Sequence, residues 1–456
     1  MNGPRMSRKL ILLAAAVAAL GQAGCATRTA FETPETRLPA SYAQAADPAL
    51  QPSGVDWWRR FGDARLDALV AQVTARNNDL AQAAIAVRRA RVEAGLSVIN
   101  PTISASVNGG TSKVLRNNGL ATRSYGGDAT VGYEADLFGR LAATRDVADF
   151  EAKATEEDYA STRLSLVATT ATLYYQLAFL NERIALAQES VDYAQRTLGL
   201  VQVQRSAGAA SSLEISEAQQ SLHSQQASLE DLVRQRVAAR NAIDLLLDGE
   251  RWAGGEPAHT PDEPPPVVAA GVPAELLARR PDLRAAELRL REQLSQVDAT
   301  RASFYPRLTL TGQLGTSSTA LTELLKNPVG TLAANLALPF LQVDEMRLQN
   351  KAARLSYDSA VVGFRQTLYQ ALTDVENALA DRTQYATEAR LSASSLQEAR
   401  RVEQLNEVLY RAGSTTLKVW LDAQETRRQA EATYAQSVLN ARVAQITLYK
   451  ALGGDA

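Results

Sequence analysis

The sequence predicts a mixed α+β chain made of two tandem repeats, each ordered helix, strand, strand, helix, helix. Three observations carry this. Matching residues recur at one offset: Pro101-Thr-Ile103 with Pro306-Arg-Leu308, Ala207-Gly208 with Ala412-Gly413, and Glu217-Ala218-Gln219 with Asp422-Ala423-Gln424 all lie 205 residues apart. One pair means little, but three in chain order indicate duplication. Proline is absent from 102–256 and from 340–456, which permits very long helices because proline is heavily penalised inside them. Finally, each repeat holds two stretches of about ten residues in which apolar side chains alternate with period two.

The chain opens on an address. Arg5, Arg8 and Lys9 precede an apolar run from Leu10 to Leu20, and Gly21-Gln22-Ala23-Gly24 follows. A basic segment, a short apolar core and small residues read as an export signal over residues 1–24, too short to span a membrane. Cys25, the only cysteine, comes next. The segment resembles a bacterial lipobox, although Gln22 stands where the usual pattern has Leu, and Cys25 is expected to carry lipid and become the first mature residue. Ordinary cleavage after Ala23 would instead leave a free thiol, which an oxidising compartment disfavours. Ala26, where Asp would favour the inner membrane, points to the outer one. Residues 25–60 then form a lipid-anchored extended segment.

The first repeat is placed at 61–256. Residues 61–99 read as one helix, with Leu66, Leu69, Val73 and Leu80 on a face, stopped by Pro101. Strands are expected at 102–114 and 126–138. In the second, Ala129, Val131, Tyr133, Ala135 and Leu137 alternate with Asp128, Thr130, Gly132, Glu134 and Asp136. A helix over 140–205 would run about 100 Å. Gly208 turns the chain, and a return helix follows at 212–249. Its positions 215, 218, 222, 225, 229, 232, 236, 239, 243 and 246 are apolar except Gln225 and Arg236, at heptad steps. Six of the sixteen prolines fall between Pro257 and Pro273, making 257–272 an extended linker. The second repeat, 273–456, has strands expected at 307–317 and 330–340 and helices at 344–411 and 415–452, with Gly413 between the helices.

Composition excludes several functions. Net charge is −2, from 48 basic and 50 acidic residues, so there is no basic excess to neutralise phosphates and no nucleic-acid partner is expected. One Cys and two His, His223 and His259, rule out zinc ribbons, iron–sulfur clusters and multi-histidine metal sites. No Ser–His–Asp set or phosphate loop is found, so no catalytic residue, metal or cofactor is expected.

The mature sequence has no run of eighteen apolar residues. Ten-residue alternating strands joined by long loops are what an outer-membrane barrel uses, since only a closed barrel satisfies every backbone group in lipid. Four strands cannot close one, so the chain must oligomerise. Two copies give eight strands with a filled interior, and three give twelve with room for water. Glu134 and Asp136 would face that bore. Phe138, Phe304, Tyr305 and Phe340, at helix–strand junctions, fit a membrane-interface girdle. A soluble four-stranded sheet would leave the long hairpins with little to bury them.

Tyr133-Glu-Ala-Asp136-Leu137-Phe138-Gly139-Arg140 resembles the strand-to-helix signature of TolC-like outer-membrane efflux proteins, in their lipoprotein NodT-type branch. So do Trp57-Trp58-Arg-Arg-Phe61, Arg279-Arg280-Pro281-Asp282-Leu283, Phe304-Tyr305-Pro306, Tyr410-Arg411-Ala-Gly413 and Leu421-Asp422-Ala-Gln424. The resemblance implies a homotrimer whose twelve-stranded barrel, four strands per chain, continues into an α-helical periplasmic tunnel. It implies an outer-membrane exit duct for drugs or other small molecules, served by a periplasmic adaptor (membrane fusion) protein and an inner-membrane RND-type transporter. A duct for type I protein secretion is the alternative. A trimeric adhesin is a different class, but its strands would be contiguous at the C-terminus.

The turns at Gly208 and Gly413, with Arg411, are the expected adaptor contacts at the tunnel tip. Asp422 and its repeat equivalent Glu217, with Glu425, are the expected gate residues, three copies of a carboxylate making an acidic constriction. Many relatives have Arg after Leu-Asp-Ala-Gln. Glu425 stands there in this chain, so the family's tip linkage does not transfer intact.

Overall fold

The computed structural model describes residues 28–43, 56–113, 115, 120–261, 273–326 and 328–454. Cys25 and most of the expected linker lie outside them. In chain order the main elements are α1 (Ala64–Arg76), α2 (Asn78–Ser97), β1 (Thr102–Lys113), β2 (Ala121–Ala135), α3 (Arg140–Ser206), α4 (Ser212–Leu246), α5 (Pro281–Ser303), β3 (Arg307–Ser318), β4 (Pro328–Ala337), α6 (Val343–Arg411) and α7 (Leu417–Ala451). No helix among the described residues is long and apolar enough to cross a membrane.

The helix expected over 61–99 is two helices. Asn77 adopts an extended conformation, φ −64° and ψ 130°, and its side-chain oxygen accepts the N–H of Leu80 at 3.1 Å. That caps the start of α2, as Asp63 caps α1 through the N–H groups of Arg65 and Leu66. Two strands end earlier than the alternation suggests. β2 stops at Ala135 and β4 at Ala337. Leu338 and Phe340 continue the period of two, but Pro339 cannot donate to a ladder and starts a single 3₁₀ turn instead.

The chain divides into two compact units. The first takes the residues up to Thr36 with 86–156 and 285–365. It holds the antiparallel sheet, in order β1-β2-β3-β4, and a small alanine cluster in which Ala90 and Ala94 of α2 pack on Ala148 and Ala152 of α3. Its N-terminal stretch is tied to α5. The backbone N–H and hydroxyl of Thr29 both donate to the buried Asp298 carboxylate at 2.7 Å, and the Arg291 guanidinium sits 4.5 Å from the Phe31 ring.

The second unit takes 37–85, 157–284 and 366–456. Its core is aromatic at one place: Trp57 stacks on Tyr449 at 5.0 Å, and Tyr174 donates to Asp63 at 2.5 Å. All ten heptad positions of α4 are buried or half-buried. Of its two polar positions, Arg236 binds Glu256 at 2.8 Å and Gln225 reaches Glu425 at 3.5 Å. Residues 257–261 of the expected linker are held down, since Asn181 donates to the Pro257 carbonyl at 2.8 Å and Arg442 to that of Pro261 at 2.5 Å.

Candidate functional site: the sheet faces and the helical turns

Cross-strand partners share a face, so register sorts the sheet into two surfaces. On one, Ile103 opposes Val131, Ala129 opposes Leu314, Tyr133 opposes Leu310, Leu308 opposes Leu336 and Gly312 opposes Leu332. On the other, Ser104 opposes Thr130, Ser106 opposes Asp128, Glu134 opposes Thr309 and Gln313 opposes Thr331. The first face is apolar or glycine from Ile103 to Gly109, from Tyr125 to Ala135 and from Leu308 to Leu314, with Lys113, Arg123 and Thr316 at its far margin, and the other is mostly polar. Among the described residues nothing covers the apolar face: Leu332 is 92 % and Val107 84 % exposed. An apolar sheet face that no protein element covers is the pattern of a lipid-facing strand.

Glu134 is the last residue of β2 on the polar face. Its carboxylate takes two bonds from Arg140, at 3.0 and 2.8 Å. Asn100 doubles on the backbone of Glu134, donating to its carbonyl at 2.8 Å and accepting its N–H at 3.1 Å. Asp136, expected on the bore, lies past the strand. Its two oxygens accept the N–H groups of Leu141 and Ala142 at 3.1 and 2.8 Å, so it satisfies the open first turn of α3. Among the junction aromatics, Phe138 stacks on Tyr305 at 5.0 Å and Phe340 is exposed. Phe304, the residue after α5, is buried, which does not fit the expected girdle.

At the far end of the long helices, Gly208 and Gly413 have φ of 74° and 71°. After each, the chain closes the same way. Ala209 donates to the Gln204 carbonyl at 2.8 Å and Gly208 to that of Arg205 at 3.0 Å; Ser414 donates to Leu409 and Gly413 to Tyr410, both at 2.9 Å. These are Schellman-type ends, in which left-handed geometry favours glycine. Beneath the turns one cluster joins both hairpins: Val201, Ala210, Ala218, Tyr410, Leu417 and Trp420 are buried together. Tyr410 stacks on Trp420 at 5.2 Å and donates to Gln204 at 2.6 Å.

The sequence profile of the family described as outer membrane efflux protein matches residues 69–249 and 272–454. The chain belongs to the outer membrane efflux protein family. It is 29 % identical to the Toxin and drug export protein A of Aggregatibacter actinomycetemcomitans over 88 % of each chain. It is 29 % identical to outer membrane protein OprJ of Pseudomonas aeruginosa over 97 % of this chain and 95 % of that one. Its fold matches the open-state crystal structure of the MtrE outer membrane channel of Neisseria gonorrhoeae with a TM-score of 0.80 at 27 % identity, covering 94 % and 98 % of the two chains. This outer membrane efflux protein is therefore an exit duct of an efflux pump in the outer membrane, and its family members are transport channels rather than enzymes.

Charges near the turns have partners that the sequence reading did not assign. Asp422 is exposed and bonded to Lys418, one helical turn earlier, with 3.1 Å from Nζ to each oxygen. Glu217 is half-buried on α4. Glu425 accepts two bonds from Arg428, at 3.1 and 2.8 Å. Arg411 is taken by Glu407 at 2.6 Å. Deeper along the helices, Arg427 lies between two buried acids, 2.8 Å from Glu431 and 3.8 Å from Glu403, and Arg400 also reaches Glu431 at 3.2 Å. Tyr193 donates to Glu403 at 2.7 Å. Burial, then that hydrogen bond, pushes the Tyr193 hydroxyl up, so it stays a donor. The signal for part of this was present: Lys418 and Asp422, Glu407 and Arg411, and Arg427 and Glu431 are all i,i+4 pairs.

Proposed function

We propose that three copies of this efflux protein close a twelve-stranded barrel and conduct small molecules passively out of the cell. The observation that supports this most is the four-stranded sheet with one apolar, uncovered face and two open edges. In lipid its edge groups need partners, and further copies of the same sheet supply them. Three copies leave a bore that the polar face, with Asp128, Thr130 and Glu134, would line. Acyl chains on Cys25 would hold the N-terminal stretch at the inner leaflet, adding to an anchor the barrel already provides. A periplasmic adaptor would grip the turns at Gly208 and Gly413, near Arg411, and an RND-type inner-membrane transporter would supply the energy. Asp422, Glu217 and Glu425 are the residues proposed to narrow the tip.

Polypeptide export is the second reading. It is favoured by one observation, that a relative covering most of this chain is named for toxin as well as drug export. Deleting the gene and measuring both retention of a fluorescent dye and release of secreted polypeptides separates the two. Dye accumulation in the deletion strain that the wild-type chain reverses, with unchanged polypeptide release, supports small-molecule efflux. Loss of polypeptide release alone would overturn it in favour of secretion.

A further inference from the structure

The two faces of the sheet carry their charges differently. On the polar face Asp128, Glu134 and Arg307 are spread along the strands. Among the described residues the apolar face has two charged side chains, Lys113 at the end of β1 and Arg123 near the start of β2. Both are cations and both are exposed. Both lie at the margin farthest from the helices, since α2 leads into the start of β1 and α3 follows the end of β2. The near margin of the same face, Ile103, Ala135, Leu308 and Leu336, is uncharged.

Depth puts these cations at the level of lipid headgroups. Tyr133 and Tyr125 share the apolar face and lie 8 residues apart on β2. That is about 27 Å along a strand, or about 21 Å of depth at a tilt of about 40°. An apolar band about 25 Å tall, edged by aromatics, is what a barrel presents to lipid. Arg123 is the next residue beyond Tyr125 on this face. It opposes Thr111, and Lys113 follows Thr111 on the same face of β1, so the two cations are diagonal neighbours about 7–8 Å apart. Like charges so placed repel, and among the described residues neither has an acid to pair with. Asp128, the nearest acid along β2, belongs to the other face and accepts from Ser106 at 2.5 Å. The Tyr125 ring lies across Gly109, whose Cβ would meet its Cδ1 at 3.4 Å, and so fills the space beside the cations on the apolar side.

Resting on the barrel proposed above, we infer that Lys113 and Arg123 form a site for the phosphate group of an outer-leaflet lipid, whose acyl chains lie along the apolar face past Tyr125 and Val107. With the helical tunnel in the periplasm, the margin that carries the two cations lies at the outer leaflet. A phosphate there supplies the missing counter-charge. The Arg123 guanidinium is a planar fork that can take two phosphate oxygens at once, and the Lys113 ammonium adds a compact charge beside it. The occupant is a lipid rather than a free anion because the cations border an apolar surface: an acyl chain gains from covering Val107, which is 84 % exposed, and a bare phosphate does not. Tyr125, with an apolar ring and a polar hydroxyl, suits the boundary between the two parts of such a lipid.

Native mass spectrometry of the full chain in detergent, titrated with diphosphorylated lipid A, tests the site. The three-copy mass should carry the lipid, and the same lipid stripped of its phosphates should bind far more weakly. Lys113→Gln and Arg123→Gln should each weaken binding about five-fold, the effect of one cation near an anionic lipid surface, and the double variant about 25-fold. Arg307→Gln removes the same charge from the polar face and should leave binding unchanged. The double variant should keep its three-copy mass, which separates loss of the site from loss of the fold. Equal binding by the wild type and the double variant at that mass, or equal binding of the dephosphorylated lipid, overturns the lipid site and leaves the barrel standing. Displacement of the lipid by inorganic phosphate at the lipid's own concentration would make this a free-anion site and overturns the proposal too. A monomer or dimer mass for the wild type overturns the barrel and the site with it.

Discussion

Lys418 holds the carboxylate of Asp422 from one helical turn away, its Nζ 3.1 Å from both oxygens. If Asp422 lines the narrow end of the duct, each acid brings its own cation. The ring is then an array of pairs, not a bare negative constriction. Both side chains are largely exposed, and such a pair contributes less than about 1 kcal/mol, so substitutions there change charge without disturbing the fold. Lys418→Ala should therefore raise cation selectivity and strengthen block by trivalent cations. Asp422→Asn should do the opposite. Planar-bilayer recording at asymmetric salt reads both, and a reversal potential that neither variant moves would place Asp422 outside the ion path.

The two turn glycines make a second, independent expectation. A Cβ at Gly208 or Gly413 would meet no atom within 4 Å, so the cost of a side chain is backbone strain alone. Gly413→Ala should lower stability by about 1 kcal/mol, the penalty of left-handed geometry for an L-residue. Gly413→Asn should cost less, because Asn visits that region more readily. Urea unfolding followed by helix content checks this. Equal losses for Ala and Asn would mean that the turn, not the φ value, sets the cost.

Acid should loosen the second unit at one identifiable place. Arg280 bonds Asp282 at 2.8 Å and Asp374 at 3.3 Å and donates to the Ala451 carbonyl at 3.2 Å. Burial raises the Asp282 carboxyl, but the hydrogen bonds and charge of Arg280 outweigh it and hold the group below the usual carboxylate range. A carboxyl depressed in the fold stabilises above its unfolded pKa, about 3.9, and that contribution is lost as pH falls through the lower folded value. Asp282→Asn should therefore cost about 1 kcal/mol at pH 7, given a partly exposed carboxylate and the remaining Asp374. The gap from wild type should shrink below about pH 4. Thermal melts by tryptophan fluorescence report on it, since all four tryptophans belong to this unit. A gap that stays constant from pH 7 to pH 2 would deny the linkage.

Much of this arrangement is legible in the residues. The 205-residue offset reappears in three dimensions, as Gly208 and Gly413 close their helices with equivalent bonds. Alternation sorted the residues from Ala129 to Glu134 onto the two sides that the strand register also separates, because a period of two leaves no other sorting. What failed lies at element ends. Leu338 and Phe340 keep the alternation going past Pro339, where hydrogen bonding, not hydrophobicity, ends the strand. Asn77 reads as helix until its side chain is seen to take the Leu80 N–H. Phe304 and Tyr305 are neighbours with the same local signal, yet the fold buries the first and leaves the second exposed. The Arg427 cluster needed Glu403, 24 residues away on another helix, and no local pattern brings those two together.

The lipid-facing surface gives the sharpest contrast. Leu332 and Thr331 are consecutive in β4 and lie on opposite faces: Leu332 opposes Gly312 and Thr331 opposes Gln313. A Cβ on Gly312 would come 3.6 Å from the Leu332 Cδ2, so the leucine spreads over the glycine on the apolar side. Leu332 is near the middle of a ten-residue strand, where the bilayer is driest. Arginine on the lipid face at the midplane costs about 2–4 kcal/mol per copy, and every copy in the ring carries it. Leu332→Arg should sharply reduce folding into liposomes and lower the urea midpoint of what does insert. Thr331→Arg places the same charge against water and should insert close to normally. It should shift ion selectivity toward anions instead. If Thr331→Arg blocks insertion while Leu332→Arg inserts, the two faces are assigned the wrong way round, and the polar surface with Asp128 and Glu134 cannot line the bore.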